Sequence, residues 1–597
     1  MNRTVTKVME LGESLDLARK VIITSIGGVS RMAVLGGTAG ALAAGAAISV
    51  AVSPHDQMII SGMVSGLGSK LLFIEAVEGA TKLPGVLSLG NAWEEYSHAA
   101  WEIFNANMPL AVTHTALVGA AAIMGGLRLS NDAFSSFLEK MHVRGAKRVD
   151  HDKLIELAYT KPIVKDGDKL SPYHIAGVPL TWAQTLQCIV LNGNMGSGKS
   201  VQNKQLLNQG RAEGIDMLVL CVAGDYIAAY YDPANPYHVM VHPYDARSVA
   251  INIFAELGDP SEERMRTNCT NFFNTLIPEG PKANPFYLNV QRQLATETTI
   301  AIYKAKGDQA VTPDLMAAFN LPIPALAAML ADSELANSFS DKKSVESIMG
   351  AMLGLKSQLR VLHVASGGTR QFSISQWARS LAVPLTEREP YTVFIATSTN
   401  TIGESRMLLT ALIDVAIREL MSLPVHRHAP RVIVSLDEAQ KLGNVSQMPT
   451  LLTEGRKFGI MTILAFQAQS QFEHIYEQAM ASTLLSQLQT RVIYRTADDI
   501  AELMSKSFGE EEAYESDLNM TSTAGESRDS TGRSRKKTPR PVVLPSEITT
   551  MDDLYAFLKL PGALPVAKIK SDYRGLLPEV QPGFIPKIGV RIEAPSE

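Results

Sequence analysis

Cysteine is scarce in this 597-residue chain. Its three cysteines, Cys188, Cys221 and Cys269, are far apart and form no CxxC pair. That spacing excludes a disulfide framework and a cysteine-based zinc site, and it is the ordinary pattern of reduced thiols. An excess of positive charge is missing too. Lys and Arg total 55 against 60 Asp and Glu, a formal net charge of −5. A surface coated in basic residues is therefore excluded, although a local basic groove or pore is compatible with the total. No internal repeat is evident. His426-Arg427-His428 lies between Pro424 and Pro430 with no third ligand nearby, so it reads as a solvated loop rather than half a metal site.

Charge is also absent from residues 32–52, which are rich in Ala, Gly, Val and Leu. A helix of that length covers roughly 30 Å, the thickness of a bilayer core. Residues 108–127 are similarly apolar, with only His114 as an ionisable group. Arg3, Lys7, Arg19, Lys20 and Arg31 precede the first stretch; Arg128, Lys140, Arg144, Lys147 and Arg148 follow the second. The segment between them is mostly acidic. The positive-inside rule then predicts two transmembrane helices with both chain ends in the cytoplasm. Trp93, Tyr96 and Trp101 fall where an interfacial aromatic belt is expected.

Beyond about residue 161 the pattern is that of a globular protein with nearly half its residues apolar. Residues 188–192, 217–222, 238–241, 391–396 and 431–436 read as buried strands, and residues 406–420 as a helix between the last two. Their alternation with helical stretches predicts an α/β fold with a mostly parallel sheet covered on both faces. Residues 260–368 turn helical, with amphipathic segments at 289–303 and 326–335, as expected of an all-α insertion. The Ser/Thr/Gly-rich, basic stretch 521–540 reads as a flexible segment.

Gly193-Asn194-Met195-Gly196-Ser197-Gly198-Lys199-Ser200 satisfies G-x-x-x-x-G-K-[ST] between a predicted strand and a predicted helix. The glycines let backbone amides wrap phosphate groups at a helix N-terminus. Lys199 is expected on the β- and γ-phosphates and the Ser200 hydroxyl on Mg²⁺. These eight residues and the following Val201 form the expected nucleotide-binding set. Val432-Ile-Val-Ser-Leu-Asp437-Glu438 supplies the acidic half. Asp437 would help Ser200 to hold the metal, and Glu438 would polarise the attacking water.

These motifs, together with Glu454-Gly-Arg456-Lys457-Phe-Gly459 and Leu464-Ala-Phe-Gln467-Ala-Gln-Ser-Gln471, resemble the TraD/TrwB type IV coupling proteins of the FtsK/HerA group of P-loop motors. Gly224-Asp225, Pro243-Tyr244-Asp245-Ala-Arg247 and Phe372-Ser-Ile-Ser-Gln-Trp377 add to the likeness, which covers most of residues 140–575. One departure is Cys221-Val222, where relatives often carry Asp-Pro.

The resemblance implies a RecA-like P-loop NTPase domain with an all-α insertion domain and an N-terminal two-helix transmembrane anchor. The expected division is 1–130 anchor, 131–260 first part of the motor, 261–371 insertion and 372–597 second part. It implies Gln467 as the γ-phosphate sensor and Arg456 as an arginine finger for a neighbouring subunit's ATP. It implies ATP and Mg²⁺ as cofactors and a homo-hexamer in the bacterial cytoplasmic membrane, with its motor in the cytoplasm. The implied partners are relaxase-bound single-stranded DNA and a type IV secretion channel. A double-stranded DNA translocase of the FtsK kind would need more spans, a long linker and a C-terminal DNA-reading domain, none of which is evident. A non-hydrolysing membrane scaffold would not need the intact Lys199, Ser200, Asp437, Glu438 and Gln467.

Overall fold

The structure, a computed structural model, describes residues 142–160, 169–279, 284–467, 469–521 and 530–588. The two apolar stretches at 32–52 and 108–127 lie outside the described residues, as does the anchor they were expected to form. Among the described residues no helix is long and apolar enough to cross a membrane. The chain divides into two compact units, one of residues 142–513 and 537–597 and the other of 1–141 and 514–536. The first carries the fold described below.

Its centre is a ten-stranded sheet. In chain order the strands are β1 (Arg148–Val149), β2 (Ile189–Asn192), β3 (Asp216–Cys221), β4 (His238–Val241), β5 (Thr392–Ala396), β6 (Val432–Asp437), β7 (Ile460–Phe466), β8 (Thr490–Ile493), β9 (Tyr555–Lys559) and β10 (Val566–Lys570). Their order in space is β1-β10-β9-β8-β2-β7-β6-β3-β5-β4. The seven strands from β8 to β4 run parallel, whereas β9 pairs antiparallel with both β8 and β10. Strands covered on both faces read as continuous apolar runs, and β2, β3, β5, β6 and β7 are buried at every residue.

Successive side chains divide between two cores, as the two-residue period of a strand requires. Val190, Leu218, Leu220, Val432, Val434 and Leu436 enter the core shared with most of the helices. Ile189, Leu191, Met217, Val219, Ile433 and Ile463 enter the core on the opposite face, with Leu206 and Leu207 of α1 (Lys199–Ala212).

The helical block falls between β4 and β5 in the chain. Its longest members are α2 (Glu262–Leu276), α3 (Pro285–Lys306) and α4 (Lys342–Gln358). Helix α3 starts where Asn284 accepts the Phe286 amide at 3.0 Å and Pro285 presets the first turn. Asp341 caps α4 by accepting the Ser344 amide at 2.9 Å. The two crossings into and out of the block are zipped together. Ala250–Ile251 pairs in parallel with Gln371–Phe372, and the buried carboxylate of Glu256 accepts the amides of Ile374 and Ser375, both at 2.8 Å. Burial pushes that carboxyl up to about 7, against the amides that favour its charged form. Trp377 closes the block by donating its indole N–H to Asp216 Oδ1 at 3.1 Å, and Arg388 pairs with the other oxygen at 2.7 Å.

Two expectations change. Over 326–335 the helix is only Ile323–Met329, followed by a turn and the short 3₁₀ piece Ala336–Phe339. Most of the basic stretch at 521–540 is not a flexible segment. Ser530–Pro541 is a strand in a small sheet with Glu510–Thr521 and His142–Gly145. Composition suggested a linker, but Arg540 pairs with Glu511 at 2.5 Å across that sheet, the cross-strand opposite-charge contact that steadies a polar ladder.

Candidate active site

Strands β2, β6 and β7 deliver their C-terminal ends to one cleft of about 340 Å³. Met195, Gly196, Gly198, Lys199, Ser200, Val201, Asp437, Glu438 and Gln467 line it, together with Asp225, Tyr226 and Tyr573. Gly193, Asn194 and Ser197 complete the loop without lining the cleft directly. Ser197 Oγ donates to the Asn194 carbonyl at 2.8 Å and holds the turn closed. Gly198 sits at φ +118°, and a Cβ there would lie 3.1 Å from Leu554 Cα and 3.0 Å from the Tyr494 ring. Only glycine lets the loop pass beneath those residues and open into α1.

Lys199 is 7 % exposed. Its Nζ donates to the carbonyls of its own loop, Gly193 at 2.6 Å and Asn194 at 2.8 Å. Burial lowers its pKa, and the nearby Asp437 and Glu438 charges oppose that shift. A cation held only by carbonyls in an open cleft can turn to an anionic ligand.

Asp437 ends β6 as the centre of a buried polar chain. It accepts from Tyr226 Oη at 2.7 Å and from Ser200 Oγ at 3.3 Å on the same oxygen. Asn203 Nδ2 donates to that tyrosine oxygen at 2.7 Å, and Asn203 Oδ1 accepts from Ser435 at 3.0 Å. Burial holds the Asp437 carboxyl above the usual carboxylate range, opposed by the Tyr226 hydroxyl. Sequence reasoning missed Tyr226, Asn203 and Ser435. Two signals were present: Asn203 lies four residues past Lys199 on one helix face, and Tyr226 follows the Gly224-Asp225 pair.

Glu438 adopts the left-handed conformation at φ +55°, which turns the chain out of β6 into the 3₁₀ turn Ala439–Leu442. For a residue with a side chain this costs roughly 1 kcal/mol. Its carboxylate is gripped on both oxygens, by Gln467 Nε2 at 2.9 Å on Oε1 and by Lys441 Nζ at 2.6 Å on Oε2. Gln467 at the end of β7 therefore touches Glu438 directly, and Asn192 at the end of β2 donates to the Gln467 carbonyl at 3.4 Å.

Arg456 is elsewhere. It lies in the 3₁₀ turn Gly455–Phe458, just before β7, and lines a separate polar cleft with Gln187, Cys188, Thr462, Gln487 and Gln489. That is the N-terminal edge of the sheet, one strand length of roughly 20 Å from the P-loop edge. Its guanidinium is exposed and paired with no side chain among the described residues. No cluster of potential metal ligands with three or more His, Cys, Asp or Glu occurs among the described residues, and His426 instead donates its backbone amide to the Lys457 carbonyl at 2.8 Å.

The chain after β10 forms a strap over this region. Val580 and Gln581 donate their amides to the Ala228 carbonyl, at 2.9 and 3.1 Å. Arg247 Nη1 donates to the Pro582 carbonyl at 2.8 Å, and Asp245 accepts the Ile585 amide at 2.9 Å. Where the strap crosses the Gly224-Asp225 turn, a Cβ on Gly224 would lie 2.9 Å from Gly583 Cα. The motif at 243–247 and the Gly-Asp pair thus act locally as seats for the strap.

Residues 172–572 match the family described as the type IV secretion-system coupling protein DNA-binding domain. Coupling protein TraD of Escherichia coli (strain K12) is 27% identical over 429 residues, which is 71% of this chain and 57% of that protein. The chain thus spans a little over half the length of that relative. Among solved structures, the unbound form of the bacterial conjugative coupling protein TrwBdeltaN70 superimposes with a TM-score of 0.60 at 23% identity, covering 74% of this chain and 96% of that one. Plasmid coupling protein TrwB in complex with ADP and Mg²⁺ gives 0.59 at 23% identity, covering 75% and 98%. These likenesses establish the RecA-like P-loop fold with its helical block.

Proposed function

Because the chain belongs to the type IV secretion-system coupling proteins, we propose that it is a membrane-anchored ATPase that drives relaxase-bound single-stranded DNA into a secretion channel. The observation that carries this reading is the gathering of Lys199, Ser200, Asp437, Glu438 and Gln467 in one cleft at the C-terminal ends of the parallel strands. Ligand sites of open α/β sheets lie at that edge.

The residues fit a nucleotide and its metal. Asp437 is buried, and among the described residues its carboxylate has only hydroxyl groups as hydrogen-bond partners, a hard oxygen set that suits Mg²⁺ with Ser200 as co-ligand. Mg²⁺ bound there supplies neutralising charge for the phosphates. Lys199 exchanges the Gly193 and Asn194 carbonyls for β- and γ-phosphate oxygens. Glu438 orients and polarises the attacking water, and Gln467, bonded to Glu438, senses whether the γ-phosphate is present. Arg456 reaches the nucleotide of the next subunit in a homo-hexamer. DNA grip in such a ring is electrostatic and independent of sequence, in keeping with a chain that has no groove-reading motif. The basic flanks of the stretches at 32–52 and 108–127 support an anchor in the bacterial cytoplasmic membrane, with the motor inside.

The test uses the full-length protein in inside-out membrane vesicles, which present the cytoplasmic face to added ATP. Phosphate release should occur there and rise with single-stranded DNA. Activity confined to right-side-out vesicles would overturn the topology, and its absence in both would overturn the ATPase.

Tyr226 provides a second prediction. Its hydroxyl opposes the upward shift that burial imposes on Asp437, so Tyr226→Phe raises that carboxyl further. Protonated Asp437 is a poor metal ligand. The acid limb of the pH–rate profile should therefore move to higher pH, and half-saturation by Mg²⁺ should rise about 10- to 100-fold, the usual effect of losing a metal ligand's hydrogen-bond partner. An unchanged Mg²⁺ titration would show that Tyr226 serves only the fold.

A further inference from the structure

Two large apolar side chains line the cleft while standing exposed to solvent. Met195 at the tip of the P-loop is 78 % exposed, and Tyr573 in the strap is 64 % exposed. Neither is part of the phosphate chemistry. The Tyr573 ring has no ring partner among the described residues, so its flat face at the cleft is open to a ligand.

The ring is also held in place relative to the phosphate loop. Three residues of α1, one turn apart along a single face, tie down the chain on both sides of it. Gln202 Oε1 accepts from Ser571 Oγ at 3.3 Å, Gln205 Nε2 donates to the Asp572 carbonyl, and Asn208 Nδ2 donates to the Gly575 carbonyl at 2.8 Å. Asp572 in turn accepts the Arg574 amide at 2.7 Å, and Leu576 closes a turn by donating to the Tyr573 carbonyl at 3.2 Å. Helix α1 is the one whose first residues are Lys199 and Ser200. Tyr573 is therefore fixed to the same rigid element that carries the phosphate and metal groups, and its hydroxyphenyl ring is left free.

Resting on the nucleotide reading above, we propose that Tyr573 is the base-stacking residue of this site, with Met195 adding apolar surface, and that it takes the flat face of a purine. Stacking on an aromatic face tolerates any base, because every base presents a π-surface. Asp225, which could read a base edge from the same cleft, is engaged by Lys204 at 3.2 Å. The site therefore accepts adenine and guanine nucleotides alike and loses affinity when the base is removed.

The experiment measures binding of ATP, GTP and inorganic triphosphate, each with Mg²⁺, to the full-length protein and to Tyr573→Ala and Tyr573→Phe. ATP and GTP should bind the unsubstituted protein with similar affinity. Tyr573→Ala should weaken both by about ten-fold or more, the usual effect of losing one stacking partner, and raise KM for ATP by the same factor. Its affinity for triphosphate should stay within about two-fold, because the P-loop is untouched, and Tyr573→Phe should keep the ring and the affinity. Equal loss of ATP and triphosphate affinity in Tyr573→Ala would mean that the residue serves the strap's structure, and unchanged ATP affinity would mean that the base lies elsewhere; either result overturns the proposal while leaving the ATPase reading intact. If the unsubstituted protein bound neither ATP nor triphosphate, the nucleotide reading itself would fall.

Discussion

Glu438→Gln is expected to bind ATP with near-normal affinity and to lose turnover by about 10²- to 10⁴-fold, the range for a positioned general base. The substitution keeps the size and planarity of the group but removes its capacity to take a proton. The geometry makes it a clean test. The left-handed backbone at 438 aims the side chain out of β6 whatever its charge, and the neighbouring Lys199, Ser200 and Asp437 keep their own partners. The neutral amide loses its ion pair with Lys441, an interaction on the partly exposed rim that contributes only about 0–1 kcal/mol. The phosphate-binding groups should hold nucleotide as before. Lys199→Ala gives the contrasting result, with both binding and turnover gone, because the buried ammonium is removed. Nucleotide binding and single-turnover phosphate release on the two variants separate these outcomes. Near-normal hydrolysis in Glu438→Gln would show that another group activates the water.

Arg456→Ala should cut turnover by about 10³-fold or more with little change in ATP affinity, since an arginine finger acts mainly in the transition state. This residue stands at the edge of the sheet opposite its own P-loop. It leaves the sheet at the N-terminal edge of β7, whereas Lys199 and Gln467 sit at the C-terminal edge. Exposed and without a side-chain partner among the described residues, it also has little local work that its loss would disrupt. Mixing decides the matter. Arg456→Ala subunits keep their ATP site and Lys199→Ala subunits keep their finger, so rings containing both regain some complete interfaces. Partial recovery of activity is expected. Mixed rings, shown to form and yet as inactive as either parent, would end the shared-site account.

The sequence disclosed which residues gather in this cleft better than the support around them. Gly193 to Ser200 form a local motif whose backbone geometry follows from neighbouring residues, so strand, turn and helix could be read directly. Asp437 and Gln467 were legible because each ends an apolar strand, and strands buried on both faces carry an unbroken hydrophobic signal. The hydrogen-bond chain from Ser435 through Asn203 and Tyr226 to Asp437 was not legible. It joins three elements, and nothing in a buried Asn or Ser reveals its distant partner. Tyr573 left no signal at all. It comes more than 370 positions after the P-loop, in a stretch without regular periodicity, and its place depends on three polar side chains of α1. The basic strand Ser530–Pro541 was misread for the opposite reason. Its Ser/Thr/Gly composition is that of a linker, and only pairing with a second strand makes it a ladder.

The strap also imposes an order on the protein's own manufacture. The bond between Gln205 and the Asp572 carbonyl spans 367 positions. At about 5–20 residues per second, a ribosome needs roughly 20–70 s to travel between its ends. During that interval the P-loop, β3 and the seats at Gly224 and Asp245 have emerged, and the segment that covers them does not yet exist. The cleft in a nascent chain thus begins as a phosphate loop with no cover. Those seats expose polar groups that will later be occupied, and in the meantime only water can satisfy them. The covered site comes into being only when the residues around Tyr573 leave the ribosome and settle along α1.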